Sequence, residues 1–467
     1  MDKQVPGRRH PGVDETGEQL EHTITASNTI TVIDPSENKV LGTIPLGDER
    51  LGNDLGPQYV DTVNTHGLGY SRDGKYIVSL AVLSNTVTVV RTSDNVIVSK
   101  SYVDRGPHEA FFAPDNRTIW IGTRGVYSVD VIDGFNGTLL DRIFTANGPS
   151  KVLFSGNGTI ACVNHIFDAI ISVIDVPSKR VMYNITGLAD SFSSDMMISA
   201  NGESLWAAHK MTGQVSVIDL AARKVVAILD TGIETNHPNF AVINGTNYGF
   251  VTVAGLNVTK VYRQPTAADI PVLVKTIPMT GIQPHPLWPS PDNKLMYVAN
   301  QHSDNIDVID TNSLEIIDSF KIGQDTQSLL YISRVVPENS TGSKSLSRQG
   351  LDLRVENRLL PVYPCNNCSL PSKGPVSPYV NTPQALVTVR QTAGVDMFEI
   401  LGRYLVPNAL YTASALCHSC SEEQRAPLVT FNASTTRTGC AFNEQVLAFL
   451  KFFDGYQMDS IRVVKDD

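Results

Sequence analysis

One segment recurs along this chain, and the recurrence limits the fold more than any other feature. TITVIDPSENKVLGTIPLG (Thr29–Gly47) returns as AIISVIDVPSKRVMYNITG (Ala169–Gly187), QVSVIDLAARKVVAILDTG (Gln214–Gly232) and NIDVIDTNSLEIIDSFKIG (Asn305–Gly323), with weaker versions at Thr86–Gly106 and Ser128–Ile143. Each reads as an alternating apolar strand, a turn at or after the Asp, and a second strand. A second pattern precedes most of them: an apolar strand, a turn of the Ser-x-Asp-Gly kind, and another apolar strand, as in HGLGYSRDGKYIVSLA and HPLWPSPDNKLMYVAN. The full unit is four antiparallel strands repeating about every 42 to 47 residues, the signature of a propeller blade. Six complete blades fit between about Thr62 and Gly323. An N-terminal half-blade (Thr23–Gly47) and a lone strand, TQSLLYISRVV (Thr326–Val336), would complete a seventh and leave no free sheet edge.

The expected fold class is therefore all-β: a seven-bladed β-propeller closed by N- and C-terminal strands, plus a small C-terminal β-sandwich-like domain. The expected boundaries are a flexible segment at 1–22, the propeller at 23–336, a polar Ser-rich linker at 337–375 and a small cysteine-containing β-rich domain at 376–467, with a short helix before its final strand. The charge of −10, without a basic run, argues against nucleic acid and anionic membranes as partners. No apolar run is long enough to span a bilayer. Nine Asn-x-Ser/Thr sequons, at Asn116, Asn136, Asn157, Asn184, Asn244, Asn257, Asn339, Asn367 and Asn432, point to N-linked glycans and a secreted or secretory-pathway protein. The polar N-terminus has no signal-peptide core, so a trimmed leader is expected.

Aligning the units on the Ser-x-Asp-Gly turn and stepping back five residues gives His66, His108, Ser150, Ser194, His237, His285 and Gln327. That register begins each innermost strand, so four imidazoles are expected around one channel mouth. His66, His108, His237 and His285 are the candidate catalytic groups. A second set, His165, His209 and His302, follows the second strands and is expected at the same end with Trp288, Asp195 and Gln327 as substrate-binding residues. Such a ring suits an organic ligand handled by acid–base groups titrating near neutrality. It also suits a metal shared by adjacent histidines, or polar side chains that only bind channel water. No cofactor is called for.

Five of the six cysteines, Cys365, Cys368, Cys417, Cys420 and Cys440, follow the repeats. Two Cys-x-x-Cys pairs admit zinc or redox chemistry, but an oxidising compartment makes them disulfide candidates. Cys162, on an apolar strand, reads as buried.

The unit SPDNKLMYVANQHSDNIDVIDTNSLEIIDSFKIG resembles the YVTN family of seven-bladed propellers, which is similar to lactonase-type propellers; the likeness covers roughly residues 20 to 336. It implies fold and leaves function open. In layout the chain is also similar to the fungal hetero-Diels–Alderases of tropolonic sesquiterpene biosynthesis. That likeness implies a secondary-metabolite cyclase joining a quinone methide to an alkene, with the four histidines polarising oxygen atoms and Trp288 as an apolar wall. The expected partner is an apolar small molecule. The alternatives are a lactonase-like or metal-binding propeller and a non-catalytic binding or adhesion module.

Overall fold

The computed structural model describes residues 19–24, 27–47, 62, 64–333, 342–363, 383–391, 396–416, 425–433, 441–450 and 461–466. The chain divides into two compact units, Met1–Leu351 and Asp352–Asp467.

Among the described residues, the first unit forms seven four-stranded antiparallel sheets, an arrangement that fits a β-propeller. Two side-chain devices make the repeat. The Asp of each VID segment caps the turn between third and fourth strands: Asp34 Oδ1 accepts the Ser36 N–H at 2.9 Å, and Asp219 Oδ1 that of Ala222 at 2.9 Å. The Ser-x-Asp turn pins the hairpin between first and second strands. Ser71 Oγ donates to Asp73 Oδ1 at 2.7 Å and accepts the Tyr76 N–H at 3.0 Å, and Ser290 repeats both bonds with Asp292 and Leu295. The middle strands bury Val, Ile and Ala between sheets, while outer strands such as Val96–Tyr102 and Glu315–Lys321 are largely exposed.

Gln19–Ile24 lies between Thr29–Asp34 and Thr326–Ile332 and pairs antiparallel with both, so the first and last strands of the repeat region meet in one sheet. That strand begins at Gln19, inside the segment expected to be flexible. The innermost strands of successive sheets are Thr65–Tyr70, Pro107–Phe112, Pro149–Phe154, Asp195–Ile198, Thr235–Ile243, Pro284–Pro289 and Thr326–Ile332. Each neighbours the next, and the last neighbours the first.

Part of the expected linker is tied down. The Thr43 N–H donates to the Ser347 carbonyl at 2.8 Å, the Ser347 N–H donates back at 2.7 Å, and Gln349 Nε2 donates to the Ser27 and Gly47 carbonyls.

The second unit is one seven-stranded mixed sheet and not the expected sandwich of two. Its order is Arg425–Asn432, Leu410–Leu416, Ile461–Lys465, Val355–Tyr363, Gln384–Gln391, Asp396–Leu405 and Ala441–Leu450. Val355–Tyr363, assigned to the linker from sequence, joins the two halves by pairing parallel to Ile461–Lys465 and antiparallel to Gln384–Gln391. Phe398 and Phe431, from distant strands of this order, share one apolar cluster, as in a sheet that curls. The expected short helix is instead the strand Ala441–Leu450, held along its length by Asp396–Leu405. Cys365, Cys368, Cys417, Cys420 and Cys440, with Asn339 and Asn367, lie outside the described residues.

Inner strands Thr65–Tyr70 and Pro107–Phe112 approach so closely that a Cβ on Gly69 would overlap the Ala110 carbonyl oxygen, whereas Gly156 has open space around it. Gly69→Ala should destabilise the protein by about 1–3 kcal/mol and lower Tm by several degrees, with Gly156→Ala near wild type; calorimetry of both checks this, and equal Tm values would contradict the packing.

Candidate functional site

The site is built by a β-bulge repeated in the inner strands. In the Thr65–Tyr70 strand, Thr65 pairs with Ala81 and Leu68 with Ser79, so one extra residue is fitted between them. The same slip falls between Pro107 and Ala110, Pro149 and Val152, Thr235 and Pro238, and Pro284 and Leu287. A bulge breaks the two-residue alternation, and two consecutive positions supply the channel-facing groups.

The first of these positions, with its equivalents in the two remaining inner strands, holds His66, His108, Ser150, Ser194, Asn236, His285 and Gln327. The second holds Gly67, Glu109, Lys151, Asp195, His237, Pro286 and Ser328. His237 is thus one residue out of the register expected from sequence, and Asn236 takes the place assigned to it. The fifth sheet causes the slip: its inner strand runs nine residues and turns at Asn244–Gly245, without the Ser-x-Asp turn used for alignment.

The four histidines do converge. The His66 and His108 rings lie 4.2 Å apart, His237 and His285 4.5 Å, and His66 and His285 6.4 Å. They pack mostly on one another and on fixed partners. His285 Nδ1–H donates to the Gln327 carbonyl at 3.2 Å, and His108 Nδ1 lies 3.2 Å from Ser150 Oγ. Arg124 donates to Ser150 Oγ at 2.9 Å and to the Ser194 carbonyl at 3.2 Å, placing a guanidinium beside them. Burial first, then nearby positive groups, holds His66, His108 and His285 well below the ordinary histidine pKa. Burial also brings Arg124 down to about 10. Gln327 donates to Asp325 Oδ1 at 3.2 Å.

The second bulge position forms a buried charged network. Lys151 Nζ lies 2.8 Å from Glu109 Oε2 and donates to Asp195 Oδ1 at 2.7 Å; His237 Nδ1 lies 2.7 Å from Asp195 Oδ2. Burial opposes the Lys151 charge, but Asp195 and Glu109 outweigh it and raise its pKa. Burial opposes the Asp195 charge too, and Lys151 and His237 hold its pKa below the usual carboxylate value. At Glu109 burial prevails and the pKa rises. Among the described residues, the group with metal-ligand spacing is Glu109, Asp195 and His237, not the histidine ring. The Lys151 ammonium stands between its carboxylates, where a cation would sit.

The second histidine set serves the sheets themselves. His165 Nε2 and His209 Nε2 each lie 2.9 Å from a hydroxyl on the neighbouring strand, Ser172 Oγ and Ser216 Oγ, and His209 Nδ1–H donates to the Phe192 carbonyl at 3.2 Å. Burial lowers both pKa values to about 4. His302 is buried as well. Neither His165, His209 nor His302 lines the cavities described next.

Trp288 lies three residues beyond His285, about 10 Å along an extended strand, and faces different company. With Tyr70, Phe111, Leu153, Phe154 and Met197 it lines a cavity of about 750 Å³ rimmed by Arg72, Asn157 and Asn201. A second, much smaller cavity of about 10 Å³ is lined by Glu109, Lys151, Asp195 and His237. Phe111, Met197 and Trp288 border both. Trp288 therefore belongs to an aromatic vestibule above the charged network, and of the four candidate catalytic histidines only His237 touches either cavity. Sequence reasoning missed Glu109, Lys151 and Arg124. The signal was the residue after the histidine register, which reads Glu, Lys, Asp in three successive sheets.

No family model and no curated protein matches the sequence. Solved structures do match in fold. Kuenenia stuttgartiensis hydrazine synthase is 20% identical with a TM-score of 0.53, over 66% of this chain and 99% of that one. The Pseudomonas aeruginosa periplasmic gluconolactonase PpgL is 14% identical with a TM-score of 0.54, over 68% and 99%. The dihydro-heme d1 dehydrogenase NirN is 13% identical with a TM-score of 0.51, over 92% and 78%. At these identities the likeness is one of β-propeller fold.

His66, His108, His165, His209 and His285 all favour the uncharged ring in the fold. Stability should be complete above about pH 6.5, the unfolded value, and fall as pH drops toward about 4, because the unfolded chain takes up protons the folded chain refuses. Tm measured from pH 7.5 to pH 4.5 should decline, and His209→Asn should flatten the decline; a pH-independent Tm would contradict this burial.

Proposed function

We propose that this chain is a seven-bladed propeller enzyme that takes a largely apolar small molecule into the aromatic vestibule and performs acid–base chemistry on its polar end at the charged floor. The observation carrying this reading is the shared wall: Phe111, Met197 and Trp288 join an aromatic cavity to a buried Glu–Lys–Asp–His network. A cavity of about 750 Å³ is the size of small-ligand sites, and perturbed ionisable groups cluster where chemistry occurs.

Among reactions, opening of a ring ester suits the floor best. Water adds to the carbonyl carbon as Glu109, its basicity raised by burial, takes the proton. Lys151 stabilises the charge developing on the carbonyl oxygen. The ring C–O bond then breaks, and the leaving alkoxide takes the proton back from Glu109, yielding a hydroxy acid. Asp195 and His237 hold Lys151 and the floor in place. The likeness to a gluconolactonase supports this at the level of fold only. A ring-forming cyclase would use the same vestibule without Glu109.

A secreted, glycosylated protein is part of the proposal. Asn136, Asn157, Asn184, Asn244 and Asn432 are exposed, as glycan acceptors must be, while Asn116 and Asn257 are half-buried and Asn257 Oδ1 accepts the Gln283 N–H.

Turnover of aryl and alkyl lactones tests the assignment. Glu109→Gln should lower kcat by about 10²-fold or more with KM little changed, and Trp288→Ala should raise KM several-fold while also lowering Tm, because Trp288 packs against three apolar clusters. Full activity in Glu109→Gln would remove acid–base chemistry from the floor and favour the cyclase; ligand binding without turnover of any lactone would make the propeller a binding module.

A further inference from the structure

Lys151 carries a proton that the protein does not use. An ammonium has three donors. Two are directed at Glu109 Oε2 and Asp195 Oδ1, at 2.8 and 2.7 Å, and among the described residues no third acceptor meets it. Its side chain is only 4% exposed, so bulk water does not serve it either. The small cavity bordered by Lys151 and Asp195 has about 10 Å³, room for one water-sized group.

Charge decides which group that is. Two carboxylates, Glu109 and Asp195, already balance two cations, Lys151 and Arg124, in a buried site where charges are poorly screened. A ligand carboxylate would bring a third anion against them. A neutral oxygen accepts the third N–H and adds no net charge.

We infer that the floor selects a neutral oxygen acceptor, the carbonyl of an ester, lactone or ketone, and discriminates against carboxylates. This rests on the vestibule being the ligand site. It gives the site a direction: the neutral ester is admitted and the acid formed from it is expelled.

Trp288 is a built-in reporter, because the other two of the chain's three tryptophans, Trp120 and Trp206, are fully buried. Its fluorescence at pH 7.5 would follow titration with 2-tetralone, a neutral ketone that cannot be hydrolysed, and with 1,2,3,4-tetrahydro-2-naphthoate, a carboxylate of matched shape. The ketone should bind at least about tenfold more tightly. In Lys151→Met the preference should shrink to about twofold. Since Lys151→Met leaves two buried carboxylates without their ammonium partner and can fail to fold, the wild-type comparison decides by itself. Equal or tighter binding of the carboxylate overturns the inference while leaving the vestibule as the site. Absence of binding by both overturns the vestibule reading and this inference with it.

Discussion

The β-bulge at the start of the inner strands is the constraint on which the rest of the site depends. A regular strand would send alternate side chains into the sheet packing and deliver one ring of residues to the channel. The extra residue delivers two rings, one of histidines and small polar groups, the next of charges. His66 and Glu109 reach the same axial space only because Thr65 and Pro107 are each followed by such a slip. The stiff prolines beside several bulges, Pro107, Pro149, Pro238 and Pro284, hold it against a return to regular pairing.

The buried charges show how a rigid ring tolerates what a small core cannot. Glu109, Lys151, Asp195 and His237 come from four successive sheets, and removing one partner of such a network leaves an uncompensated charge at a cost of about 3–5 kcal/mol. Their fixed partners set a preorganised electric field beside an otherwise apolar vestibule. The histidine ring at the other end of the bulge plays a different part. Burial favours the uncharged ring in His66, His108 and His285, and His108 and His285 meet a serine and a backbone carbonyl, so they pack the channel.

Much of this was readable from residues alone, and the limits have physical causes. The Asp of VID and the Ser of Ser-x-Asp announce their turns because each side chain bonds backbone only a few residues away. Such local signals repeat with the fold. The convergence of His66, His108 and His285 also followed from the period. What the period could not supply was the phase inside the fifth sheet, where a tight Asn–Gly hairpin replaces the usual turn and shifts His237 by one. Nor could it supply contacts across the ring: Glu109, Lys151 and Asp195 are far apart in sequence, and nothing local marks them as partners. In the second unit no repeat exists. Val355–Tyr363, which contains a proline and follows a polar stretch, gave no local hint that it would sit centrally in a sheet.

The sheet shared by Gln19–Ile24 and Thr326–Ile332 has a bearing on biosynthesis. A ribosome releases the first of these strands some three hundred residues before its second neighbour exists, so the early strand must wait with one edge unmet. Sheets made in between can form as they emerge, because their pairings are local. The seam, and with it the vestibule that Trp288 walls against Tyr70, becomes available only near the end of propeller synthesis.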